Sequence, residues 1–180
     1  MRDRGHGADG GWGAVVGEPG SLRYGPDDEP AGRSGCGEES AGRSGRGHRA
    51  VPHTADIRVE AWAEGREQCL VEAVLGLVES FAETSGTHPT AVERVRVEQG
   101  SDDDLLAGLL DEVIFRLDVH GQVPVDVEVE AVGGGLDVRL AVVDVGSVAI
   151  TGAAPKAVSF HELRLEQGPC GWTGEATVDV

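Results

Sequence analysis

Between Gln122 and Val145 the chain reads "QVPVDVEVEAV", then "GGG", then "LDVRLAVVDV". Two runs that alternate apolar and polar residues, joined by three glycines, admit little besides an antiparallel hairpin. Val123, Val125, Val127 and Val129 point one way, and Asp126, Glu128 and Glu130 the other. Such a hairpin has one dry face and one wet face. It needs more strands beside it and a second layer over its dry face. The glycines at 133–135 follow a strand but precede no helix, so they form a turn and not a nucleotide cradle.

The covering layer is legible upstream. In "REQCLVEAVLGLVESFAETSG", 66–86, Leu70, Val74, Leu77 and Phe81 fall at helical spacing, with Val71 and Val78 beside them. Gly86 is the expected stop, because glycine relieves a left-handed cap. "SDDDLLAGLLDEVIFRLDVHG", 101–121, predicts a second helix. Ser101 is its N-cap, Asp102 to Asp104 complement the positive end of the dipole, and Gly121 follows its end. Its buried face is Leu106, Leu110, Val113 and Leu117, widened by Leu105 and Leu109. Further strands are expected in "PHTADIRVEAWA" (52–63), "TAVERVRVEQ" (90–99), "KAVSFHELRLEQ" (156–167) and "WTGEATVDV" (172–180). The order is β-α-β-α and then a run of strands. That order predicts an α+β two-layer sandwich, a mostly antiparallel or mixed sheet with two main helices packed on one face. The last strand carries the chain end into the sheet.

The first fifty residues differ in kind. They hold 14 of the 28 glycines and a near-repeat, "AGRSGCGEES" then "AGRSGRGHRA". A segment so poor in apolar residues cannot offset its chain entropy by burial. We read residues 1–46 as a disordered extension, or as coding sequence upstream of the true start, and 47–180 as the folded domain. No signal peptide is expected, since no sufficient apolar run follows the early arginines. No stretch approaches the roughly 20 apolar residues of a membrane span.

Charge narrows the function. The net charge is −17, and residues 51–180 carry nearly all of it. A phosphate-tracking nucleic-acid binder needs a basic face, so that class is disfavoured. An acidic domain suits a basic partner or a bound cation, or it serves solubility alone. Cys36, Cys69 and Cys170 form no disulfide framework and no CxxC pair, which points to a reducing cytoplasm. Ser159 has no GxSxG context, and no His/Cys set has zinc spacing.

Three places carry polar groups that a core strand would not require. His53, Thr54 and Asp56 crowd the start of one strand. "KAVSFH", 156–161, holds the single lysine, Lys156, and His161. Asp179 is followed at once by Val180 and its α-carboxylate. Adjacent negative charges at a strand end repel unless something cationic sits between them. If Asp56 lies nearby, three carboxylates converge, and oxygen ligands of that charge suit Ca²⁺ or Mg²⁺. On the other reading, Asp56 caps a turn and Asp179 faces water.

Four motifs in order carry a resemblance. They are "HTAD" (53–56), "LLAGLLDEVIF" (105–115), "KAVSFH" (156–161) and the terminal "VDV". Together they make Gly47 to Val180 resemble the archease family. The second stands for that family's Leu-Leu-x-x-Trp-Leu-Asn-Glu helix, and the third for its Lys-Ala-Val-Thr-Tyr-His. Leu109 replaces the family's Trp, Asp111 its Asn, Ser159 its Thr and Phe160 its Tyr, and a Gly-Glu upstream of the lysine is absent. The resemblance implies an accessory protein for a GTP-dependent RNA ligase of the RtcB type. Such a protein promotes attachment of GMP to the ligase and its multiple turnover in tRNA splicing or RNA repair, and is not an enzyme itself. RNA is then met only through the ligase, in the cytoplasm and away from membranes. The implied metal residues are Asp56, Asp179 and Val180, the last through its terminal carboxylate, with Ca²⁺ ranked ahead of Mg²⁺. His53, Thr54, Lys156 and His161 are the implied functional motif around them. A chaperone-like or RNA-modification-associated binding protein is the alternative. A small metal-dependent hydrolase using Asp56, His161 and Asp179 is weaker, for want of a positioned nucleophile.

Overall fold

A computed structural model describes residues 45–52 and 55–180. His53 and Thr54 therefore lie outside the described residues, as does nearly all of the 1–46 extension. The fold is α+β with antiparallel strand pairing. Strands β1 (Gly47–Pro52), β2 (Asp56–Ala63), β8 (Ala157–Gly168) and β9 (Gly171–Asp179) form one sheet in the order β1-β2-β9-β8. Strands β4 (Ala91–Val97), β5 (Gln122–Val132) and β6 (Gly135–Asp144) form a second, ordered β4-β6-β5. Short strands β3 (Ala82–Glu83) and β7 (Ala149–Ile150) pair with each other. The predicted 122–145 hairpin is present as β5 and β6, with Gly133 and Gly134 at positive φ in its turn.

Helix α1 (Arg66–Glu79) packs against β2 of the first sheet and β5 of the second. Buried on two sides, it hides Cys69, Leu70, Ala73, Val74, Leu77 and Val78. Helix α2 (Asp102–His120) packs on α1, β5 and β8. Its predicted ends are observed. The Ser101 hydroxyl accepts from the Asp104 N–H, the Asp104 carboxylate accepts from the Ser101 N–H, and Gly121 closes the helix at φ 60°. The buried stripe runs through Leu105, Leu106, Leu109, Leu110, Val113 and Ile114, with Leu117 half-buried.

Two expectations need correction. Helix α1 stops at Glu79, not at Gly86. The Ser80 hydroxyl donates to the Leu77 carbonyl at 2.6 Å, and Phe81 then leaves the helix so that its carbonyl accepts from the Thr151 and Gly152 N–H groups. Gly86 does adopt positive φ, but in the turn after β3. Cys170, read as unbridged, is disulfide-bonded. Cys69 is free and buried, and burial pushes its thiol up to about 12.

In the first sheet, Ile57, Val59, Ala61, Val158, Leu165, Ala176 and Val178 form the dry face. The opposite face carries Asp56, Arg58, Glu60, Glu175, Thr177 and Asp179. Among the described residues, no helix is long and apolar enough to cross a membrane.

Candidate functional site

The start of β2, the end of β9 and the start of β8 meet at one end of the first sheet. Asp56 stands directly opposite Asp179, and Asp179 directly opposite Ala157. The Val180 N–H donates to the Ala55 carbonyl at 3.4 Å, and the Lys156 N–H to the Asp179 carbonyl at 2.8 Å. Residues 55 and 180 thus share a ladder hydrogen bond, which puts the 56/179 pair at a position between such bonds. Opposing side chains stand closest there. Two like charges facing each other across an antiparallel pair are destabilising on their own. Among the described residues, neither carboxylate has a hydrogen-bonding or ion-paired partner to relieve the repulsion.

The donor chemistry fits a hard cation, with two carboxylates and an adjacent main-chain terminus. Among the described residues, no three His, Cys, Asp or Glu side chains converge to hold a metal ion, so a cation here would draw on the two aspartates and the Val180 main chain.

Beyond the aspartates, an open groove of about 710 Å³ runs over the wet face, lined by Asp56, Arg58, Glu60, Thr177, His161 and Glu162 among others. Its walls are ion-paired. Arg49 donates from Nε and Nη2 to the buried Glu60 carboxylate at 2.9 and 3.0 Å. Arg58 donates to Glu162 at 2.5 Å, reaching across β9. Glu162 belongs to an irregular stretch in which the β8–β9 register shifts between Ser159 and Arg164. Its φ of 59° is the one left-handed non-glycine conformation among the described residues. The Glu162 carboxylate, at this bulge, is the partner of Arg58. The bulge sets His161 in the groove with Asp56 and leaves Phe160 exposed.

Lys156 faces elsewhere. Its main chain is tied to Asp179, but its side chain lines a second groove with Asp111, Ile114, Phe115 and Asp118 of α2. The structure thus brings Asp56, Asp179 and Val180 together, puts His161 on the wet side of them and Lys156 on the helix side.

Helix α2 governs where β8 lies. β8 is an edge strand, and α2 supplies carboxylates to it. The Asp103 carboxylate accepts from the Leu165 N–H at 2.7 Å, and the Asp111 carboxylate accepts from the Val158 N–H. Burial raises the Asp111 pKa, and the Val158 hydrogen bond opposes that shift. Sequence reasoning missed Arg58, Glu162 and Asp103. The only local signal was the helical spacing of Asp103 and Asp111, two turns apart on one face.

Comparison with known proteins agrees with this architecture. A family model described as the Archease protein family matches residues 48–180. A Mycobacterium tuberculosis protein named "Probable protein archease" is 48% identical over 133 residues, covering 74% of this chain and 74% of that protein. A Methanopyrus kandleri protein named "Protein archease" is 27% identical over 135 residues, covering 72% of this chain and 96% of its own. Among solved structures, a Methanobacterium thermoautotrophicum protein superposes with a TM-score of 0.56 at 21% identity, over 74% of this chain and 99% of that one. A Thermotoga maritima protein, described as an archease and possible chaperone, gives 0.53 at 20% identity over 72% of this chain and 94% of that one.

Proposed function

The chain belongs to the archease family, and on that premise we propose that it activates an RtcB-type GTP-dependent RNA ligase and is not itself a ligase. In this reading Asp56, Asp179 and the terminal carboxylate of Val180 hold a divalent cation, Ca²⁺ ahead of Mg²⁺. The observation that supports it most is the pairing of two carboxylates, without partners among the described residues, across β2 and β9 and beside the Val180 main chain. When bound, a divalent cation offsets phosphate charge during nucleotidyl transfer. The protein's own groups do the positioning. The Lys156 N–H donates to the Asp179 carbonyl at the strand end, and the β8 bulge places His161 in the same groove as Asp56. The net charge of −17 favours approach to a basic nucleotide- and RNA-binding mouth.

The test is guanylylation of the ligase from the same genome by GTP, with and without this protein. The chain ending at Val180 is compared with one extended by a few residues and with Asp56→Ala. We expect stimulation by the first and a loss of about tenfold or more in both variants, matched by weaker Ca²⁺ binding in calorimetry. Equal stimulation by the extended chain would remove Val180 from the ligand set. Full stimulation by Asp56→Ala after it has lost cation binding would separate the cation from the activity. A second reading, a chaperone-like protein with other clients, draws on the description of the Thermotoga relative. It predicts that aggregation of unrelated proteins is suppressed and that ligase guanylylation is unchanged.

A further inference from the structure

The second groove has features that the cation reading leaves unused. It is open, about 760 Å³, and lies where Ala154, Pro155 and Lys156 run past the second half of α2. Ile114, Phe115, Leu117 and Pro155 give it an apolar floor, and Asp111, Asp118 and Lys156 a charged rim. Phe115 is 46% exposed and Val119, one turn further on, 57%. The exposed Phe115 ring meets His120 edge-on, with centroids 5.3 Å apart. An exposed aromatic beside a second exposed apolar residue, rimmed by charge, is the composition of an interaction site.

The placement of charge adds direction. Asp118 sits in the last turn of α2, where the helix dipole disfavours a carboxylate. Among the described residues it has no cation partner. An acidic group at a position that costs local stability suits a basic ligand. The groove borders the strand end that carries the candidate site, since Lys156 lines it and donates its N–H to the Asp179 carbonyl. A second copy of this acidic chain would bring like charge to the rim.

We propose that this groove docks a basic segment of the ligase partner. An apolar side chain of that segment rests on Phe115 and Val119, and its flanking Arg or Lys residues face Asp111 and Asp118. The proposal rests on the ligase-activator reading above and assigns that reading its affinity surface. Binding then divides in two. The groove sets how tightly the partner is held, and the Asp56–Asp179 end sets what happens once it is held.

The experiment uses the full chain and the purified ligase. It measures the Kd by calorimetry at low and high salt, and the guanylylation rate at saturating activator. Phe115→Ala and Asp118→Lys alter exposed positions and keep helix-forming residues, so the fold should survive, which circular dichroism checks. Val92→Ala, exposed on the second sheet, is the control. We expect each groove variant to raise Kd about tenfold or more. The saturated rate should stay at the wild-type value, and Asp118→Lys should flatten the salt dependence. Unchanged Kd in both groove variants, with the wild type binding and stimulating, overturns the groove and leaves the activator reading standing. A wild type that neither binds nor stimulates overturns both. Self-association of the wild type that Phe115→Ala abolishes would give the groove to a second copy and overturn the proposal.

Discussion

His48 sits between two carboxylates on α1. Its Nδ1 lies 2.7 Å from Glu72 Oε2 and its Nε2 3.0 Å from Glu79 Oε2. Gly76 permits the approach, since a Cβ there would stand 3.1 Å from that of His48. Burial disfavours the imidazolium, but hydrogen bonds to Glu79 and Glu72 outweigh it, and the pKa rises above 6.5. A raised folded-state value has a definite sign. The stabilisation is complete below the ordinary value and is lost as pH climbs through the folded one. The urea midpoint of the wild type should therefore fall as pH rises from about 6.5 into the alkaline range, and His48→Gln should flatten that slope. An equal slope in the variant would place the titration elsewhere. Residue-level legibility follows sequence distance. The Asp56–Asp179 convergence could be suspected because both stand at ends of recognisable strands. The Arg58–Glu162 pair could not, because it depends on a bulge 104 residues away.

At the scale of elements, α2 was legible at both ends because its signals are local. A serine three residues before an aspartate forms the capping box, and a glycine closes the last turn. Ser101→Ala should cost about 1 kcal/mol in urea unfolding, with Ser101→Asp largely restoring it. No loss in the alanine variant would mean that packing on β8 and α1 alone holds the first turn. The end of α1 was not legible. The apolar period continues through Phe81, yet Phe81 is buried after the helix has stopped, by pairing with a segment some seventy residues on. β3 and β7, two residues each, carry no period at all. β1 lies in glycine-rich sequence next to the extension, and its strand character comes from β2. The ladder partners supply what these segments lack, and a single sequence does not display them.

At the scale of the molecule, β1 decides where the folded unit begins. Its six residues cover the β2 edge, place Ala50 against the core, and bring His48 to Glu72 and Arg49 to Glu60. Glu60 and Glu72 are both buried. Removing the strand would leave two carboxylates without those partners and would bare an edge. The His48–Glu72 pair is largely buried, and breaking such a pair from one side costs about 3–5 kcal/mol, a large share of the roughly 5–15 kcal/mol that holds a domain together. A chain beginning at Gly45 should therefore unfold at the temperature of the full chain when both are kept reduced, while one beginning at Ala55 should melt far lower or fail to fold. Equal stability of the two truncations would show that β1 is an accessory to the fold. A chain from Gly45 that melts well below the full chain would show that the glycine-rich extension stabilises the domain, against the reading of its composition. The same pair of truncations separates fold from function. If the Gly45 chain stimulates the ligase as the full chain does, the extension has no part in docking, and both the Asp56–Asp179 end and the Phe115 groove act from within the α+β domain.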